Sequence, residues 1–329
     1  MSYKFLAVLL LGILVSGPGC NPKDKSHSVL KSTVDNDSAG VGIENAFAQI
    51  PELPIRISDE SFRPLRDFRS SDLQKALEAE IKSDPNLSKL ISNRKLCIGL
   101  VDLTDWETPA YASINGREMM YAASLPKIAV LLAAEDAIHK EELEETESLK
   151  SDMHAMIRYS DNQATTRVID LLGYEKIERV MRDAKNEFYQ EEEGGGLWVG
   201  KRYSKSGKTN REPLKNLSHA ANAYQVCRFY YRLAFGRLIS FDRSRDMLEI
   251  LEEPGIKHKF VHTLLKLAPE ASLYRKSGSW QSWHADSVLV WDDDRRYILV
   301  ALIEDSSGEQ IAQGLVVPVE RALNSFKSR

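Results

Sequence analysis

The chain has 329 residues, 43% of them hydrophobic and 28% charged, with a formal net charge of -4. That length and apolar content suffice for one large domain or two closely packed lobes around a sizeable core. The mild acidity argues against nucleic acid as a partner.

In chain order, residues 1–20 read as an export signal. Lys4 is the positive start, Phe5–Val15 the apolar run, and small residues lead to Cys20. The run is too short to span a bilayer as a mature helix. The residues before Cys20 are similar to a bacterial lipoprotein cleavage site, with Gly17 where an aliphatic residue is usual. On that reading Cys20 carries a lipid, the protein is exported to the periplasm or cell surface, and its contact with membrane is that lipid. Residues 21–60 read as a flexible tether, since 21–42 are rich in Ser, Lys, Asp and Gly without apolar periodicity. Residues 61–329 then form the folded domain.

Ser70–Ser83 opens with Ser and Asp capping signals and carries Leu73, Leu77 and Ile81 at four-residue spacing, which predicts a surface helix. Leu96–Leu103 and Ala110–Ile114 predict strands, and Asn115-Gly116 a tight turn into Met119-Met120-Tyr121, all consecutive and antiparallel. Ser124–Ile138 is apolar on more than one face, as a central buried helix is. Ser151–Tyr159 and Asn162–Leu172 predict helices, the second stopped by Gly173. Residues 191–216 are polar and irregular, and Ala220–Leu238 and Asp242–Leu251 are helical. Ser272–Ser279, Ser287–Trp291 and Tyr297–Ile303 predict strands, and Gln310–Phe326 a closing helix. The order is α+β: an antiparallel five-stranded sheet flanked by helices, plus an all-α lobe, with a small-molecule cleft between them. Cys97 and Cys227 suit either a disulfide or two buried thiols.

Ser-x-x-Lys occurs at Ser28, Ser92 and Ser124, and only Ser124 opens an apolar helix. There, residues i and i+3 share a face, so the Lys127 amine comes within reach of the Ser124 hydroxyl. A buried lysine loses solvation in its charged form, so it can take the serine proton. Ser160-Asp161-Asn162 lies between two helical runs, and Lys276-Ser277-Gly278 in a strand, where a glycine weakens the strand unless something approaches the backbone closely. Arg202–Thr209 almost spells a phosphate-binding loop but lacks its first glycine, and His258 and His262 lack an accompanying metal motif.

These three motifs in this order, with the run Arg158–Thr166, resemble the class A β-lactamases and their D,D-peptidase relatives, the penicillin-recognising serine enzymes. The resemblance runs from about Ser70 to Phe326 and implies a β-lactamase/transpeptidase-like fold that opens a β-lactam or acyl-D-Ala-D-Ala peptide through an acyl-enzyme on Ser124. It implies Lys127 as base and Ser160 as proton shuttle to the leaving nitrogen. Asn162 would hold the substrate amide, Asp161 would be an internal bracket, and Lys276 and Ser277 would bind the substrate carboxylate. Gly278 would let substrate dock along the strand, with the amides of Ser124 and Ser279 as the oxyanion hole. No metal or organic cofactor is implied. Arg275 and His284 are candidates for a further carboxylate grip.

Two departures stand out. Ser160 follows Ser124 by 36 residues, a short interval for the class, which implies a trimmed lobe and a more open cleft. The Glu-x-x-Leu-Asn motif that hydrolyses the acyl-enzyme is missing; Glu212-Pro213-Leu214-Lys215-Asn216 is a partial echo, and Trp198 lies in the glycine-rich stretch before it. Turnover needs a second activated water. The expectation is therefore a hydrolytic β-lactamase-type enzyme, with a D,D-peptidase or other serine amidase or esterase, and a penicillin-binding protein without turnover, as alternatives.

Overall fold

The computed structural model describes residues 51–328. In chain order they form α1 (Ser71–Lys82), α2 (Pro85–Ser92), β1 (Leu96–Asp102), β2 (Ala110–Ile114), β3 (Met120–Tyr121), α3 (Lys127–His139), α4 (Glu147–Arg158), α5 (Asn162–Leu172) and α6 (Tyr174–Arg182). Then come β4 (Tyr189–Gln190), β5 (Gly195–Gly196), β6 (Trp198–Val199), β7 (His219–Ala221), α7 (Ala223–Ala234), α8 (Phe241–Leu251), α9 (Phe260–Leu267), β8 (Ser272–Trp280), β9 (Trp283–Trp291), β10 (Arg296–Glu304) and α10 (Gly308–Lys327). The export signal, Cys20 and most of the expected tether lie outside the described residues. From residue 51 on, however, the expected tether is held to the domain. The Ile55 amide donates to Ala234 O at 2.7 Å, Trp291 Nε1 donates to Pro51 O at 3.2 Å, and Ile55 is buried. The packed chain thus begins before the expected boundary at 61.

The main sheet has five antiparallel strands in the order β2-β1-β10-β9-β8, so strands from both ends of the domain share it, as expected. Both faces are covered. On β1, Leu96, Ile98 and Leu100 join a core with Leu73 and Leu77 of α1 and Leu315 and Val319 of α10, while Cys97 and Val101 join the core around α3. Period-2 alternation between two apolar layers is why these strands read as continuous hydrophobic runs.

On the second face, α3 is buried along its whole length from Lys127 to Ile138. With apolar residues on every side, it has no face for water and becomes the axis of the helical lobe. Each fully buried leucine there, such as Leu131, contributes roughly 1.5–3 kcal/mol of transfer free energy. Cys97 and Cys227 are both free and buried; the Cys227 thiol packs where a side chain on Gly99 would be.

One of the expected strands is placed differently. β3 does not continue the main sheet but pairs with β7, Met120 opposite Ala221 and Tyr121 opposite Ala220, in a small sheet ordered β3-β7-β6. The chain is drawn away after β2, where Asn115 takes a positive φ of 50° and the Gly116 carbonyl accepts from the Tyr224 amide of α7. That detour aims the next residues, 122–125, at β8.

Candidate active site

The small sheet sets the position of Ser124. The Ala122 amide donates to His219 O at 2.9 Å, Ala123 turns at a φ of 49°, and Ser124 sits in a turn ahead of α3, where the Lys127 amide donates to its carbonyl at 3.2 Å. β8 passes directly over this turn. A Cβ on Gly278 would lie 2.3 Å from Ala122 O, 2.6 Å from Ser124 N and 2.8 Å from Leu125 N. The glycine is therefore required by the turn that carries Ser124, whether or not a substrate docks along the strand.

The buried amine of Lys127 does not bond to Ser124. It donates to Ser160 O at 2.7 Å and to Asn162 Oδ1 at 2.9 Å, and lies 3.3 Å from Ser160 Oγ. The expected hydrogen bond to the nucleophile is not made here, because the acceptors of the turn between α4 and α5 engage the amine. Two N–H groups engaged by acceptors leave the third position of a neutral amine as a lone pair. Burial lowers the Lys127 pKa to about 7, with Asp161 opposing.

Lys276 reaches the same point. Its amine donates to Ser160 Oγ at 3.0 Å and to Ser277 O at 2.9 Å. Burial and the nearby Lys127 hold its pKa well below the ordinary lysine value. Two amines sharing one hydroxyl disfavour double charging, so a proton on one keeps the other neutral. Ser160 is held there with a φ of 57°, a region that non-glycine residues enter at a cost of order 1–3 kcal/mol. Asp161, expected inside, is exposed and caps α5, accepting from the Ala164 amide at 2.6 Å.

Several expected or undecided roles are redistributed. Arg275 is consumed by a buried double contact with Asp286, at 2.7 and 3.0 Å, and leaves no guanidinium free. The His284 ring packs against Gly308, and neither ring nitrogen has a partner among the described residues. Ser277 Oγ instead meets His258 Nε2 at 3.2 Å, and the exposed Ser279 accepts at 2.9 Å from the buried amine of Lys259, which also donates to Ala285 O and Gly278 O. Burial lowers Lys259 to about 8.

Ser124, Asn162 and Ser279 line a cavity of about 770 Å³ together with Tyr121, Tyr203, Ser218, His219 and Trp283. Among the described residues no Asp or Glu lines it, while Lys201, Arg202 and Lys205 do. Glu212 is elsewhere engaged. It is buried and accepts from Tyr189 Oη and from the amides of Leu214, Lys215 and Leu217, so it braces its own loop. Trp198 packs the same loop, donating to Asn210 O, with its ring tilted against that of Tyr189.

Sequence reasoning missed Tyr203 and His219. The Tyr203 hydroxyl donates to Ala123 O at 3.1 Å, its ring centre is 4.4 Å from Lys127 Nζ, and the His219 ring centre is 4.3 Å from its own. The ring thus roofs the amine. His219 donates from Nε2 to the Lys201 carbonyl and accepts at Nδ1 from Ser218 Oγ. Burial lowers its pKa to about 4.

The model of the β-lactamase enzyme family matches residues 148–324, a stretch that carries Ser160, Asn162 and Lys276–Ser279. This chain belongs to the β-lactamase enzyme family. Solved structures share the fold at low identity. A β-lactamase from Sphaerobacter thermophilus is 16% identical with a TM-score of 0.57, covering 77% of this chain and 95% of its own. PBP-A is 17% identical with a TM-score of 0.57, covering 79% and 98%. An acyl-enzyme complex of a PBP-A variant with penicillin G, also 17% identical, has a TM-score of 0.59 and covers 82% and 100%. No curated protein matches the chain. A β-lactamase-like serine hydrolase is the coarse identity that family and fold together support.

Proposed function

We propose that this protein reacts with β-lactams, and with acyl-D-Ala-D-Ala-type amides, by forming an acyl-enzyme on Ser124. The observation that carries this reading is the single hydroxyl of Ser160 placed between the amines of Lys127 and Lys276, with Gly278 of the same strand as Lys276 packed on the turn that holds Ser124. In the step, Ser124 Oγ bonds to the carbonyl carbon and its proton passes to neutral Lys127. The C–N bond then breaks and the nitrogen receives a proton through Ser160, which Lys127 and Lys276 can resupply. Asn162 holds the substrate amide, Lys276 and Ser277 its carboxylate, and the amides of Ser124 and Ser279 the developing oxyanion, where one donor is typically worth roughly 2.7–4 kcal/mol.

Two observations favour slow release over rapid hydrolysis. Among the described residues no carboxylate lines the cavity, and the Tyr203 ring lies over Lys127. The acyl-enzyme is then long-lived, as in a penicillin-binding protein. Intact-protein mass spectrometry after benzylpenicillin exposure tests both readings. A single adduct that maps to Ser124 and is absent from Ser124→Ala is expected, and no adduct on the wild type would overturn the proposal. A stoichiometric adduct persisting for hours marks trapping, whereas its rapid loss marks a hydrolytic β-lactamase.

A further inference from the structure

We propose that His258 is a positioning residue whose protonation decides whether the Ser277 hydroxyl can donate to a substrate carboxylate. The inference rests on the reading above, in which Ser124 is acylated and Lys276 and Ser277 hold that carboxylate. No motif points to His258. It lies in the segment between α8 and α9, and its side chain is only 24% exposed. Its Nε2 is 3.2 Å from Ser277 Oγ, and its Nδ1 is 3.3 Å from Glu309 Oε2 in the first turn of α10. The backbone that carries it is clamped, because Arg275 donates to Ile256 O at 2.9 Å and to His258 O at 3.4 Å.

The consequence follows from donor and acceptor chemistry. A carboxylate only accepts, so Glu309 selects the tautomer of neutral His258 that carries its proton on Nδ1. Nε2 is then a lone pair, and Ser277 must spend its only proton on it. In that state Ser277 shows nothing but lone pairs to an incoming carboxylate. When His258 takes up a proton, Nε2–H donates to Ser277 Oγ and the hydroxyl proton is released to point at the substrate. Mild acid therefore switches Ser277 from acceptor to donor, and substrates bearing the carboxylate gain over those without it.

The groups facing the imidazole from each packed element are Arg275 of β8, Asp286 of β9, Glu309 of α10 and the adjacent Lys259. Burial and the cations Arg275 and Lys259 lower the His258 pKa, while Asp286 and Glu309 raise it, the balance lying below the ordinary imidazole value. Arg275 and Asp286 are bonded to each other and the Lys259 amine is held by three acceptors, so Glu309 is the charge with most freedom to tune the switch.

A ratio of rates isolates the effect from the titration of Lys127. The second-order acylation rate of benzylpenicillin is divided by that of its carboxyl methyl ester, each followed by mass spectrometry between about pH 8 and about pH 5. In the wild type the ratio should rise by roughly tenfold or more on acidification, as expected for regaining one hydrogen bond to a charged group. His258→Gln should leave the ratio flat. Glu309→Gln removes a charge that favours the imidazolium, so the midpoint should move to lower pH. A flat wild-type ratio with both substrates still acylated would overturn the switch alone. A slope that persists in His258→Gln would assign it to Lys276 and overturn it too. Failure of both substrates to acylate the wild type would overturn the acyl-enzyme reading, and the switch with it.

Discussion

The α-carbon of Gly278 lies against the backbone of Ser124, so closely that a methyl group there would come within 2.6 Å of the serine nitrogen. The three nearest atoms are all backbone, held by β7 on one side and α3 on the other, and none can swing away. Gly278→Ala should cost about 1–3 kcal/mol of stability through overpacking. It should also reduce acylation more than that loss explains, because relief requires moving the turn that bears the nucleophile. Thermal melts and penicillin-adduct rates on the same sample separate the two effects; unchanged acylation would contradict the placement.

Lys127 should trade stability for activity. Its pKa in the fold is about 7 against 10.5 for a free lysine, so the unfolded chain binds its proton more readily. The resulting penalty is complete below about pH 7 and fades as pH rises toward the unfolded value. Lys127→Met should therefore raise the melting temperature, by the equivalent of about 1–4 kcal/mol, most at pH 6 and least near pH 10. The same variant should lose acylation by a factor on the order of 10² to 10⁴. In the wild type, acylation of an uncharged substrate should rise with pH through about 7, as the amine becomes neutral.

Tyr203 closes the space over that amine. Tyr203→Ala should admit water beside Lys127 and shorten the lifetime of the penicillin adduct by roughly tenfold or more. Tyr203→Phe keeps the ring and should keep the lifetime. Equal lifetimes in all three proteins would show that the ring does not govern deacylation.

His219 should act as an acid fuse. The folded pKa of about 4 lies below the ordinary 6.5, so the unfolded chain is protonated first as pH falls. The stabilisation is complete above about pH 6.5 and is lost on the way to about pH 4, by an amount on the order of 3 kcal/mol. His219→Gln should flatten that part of the denaturation-versus-pH curve.

Elements with strong local patterns were legible in the sequence: the sheet from its apolar runs, α3 from its uniform hydrophobicity, and Ser124, Ser160 and Lys276 from motifs that need only their neighbours. α6 was missed although Ile177, Val180 and Met181 form an apolar stripe, because the helix starts directly on Gly173, a residue that reads as a stop. α2 is short, yet its Asp84-Pro85 start is a usable capping signal. Tyr203, His219, His258 and Lys259 stand outside any motif and meet the site only through tertiary pairing. β3 was misassigned for a related reason, since its partner β7 is about a hundred positions away.

The mouth of the cavity carries Lys201 and Lys205, neither paired with a carboxylate among the described residues, in a chain whose net charge is negative. Such local polarity bends the approach of anions toward Ser124 from beyond contact range. Encounter should thus slow as ionic strength rises and the field is screened, while the lifetime of the adduct, once formed, stays indifferent to salt.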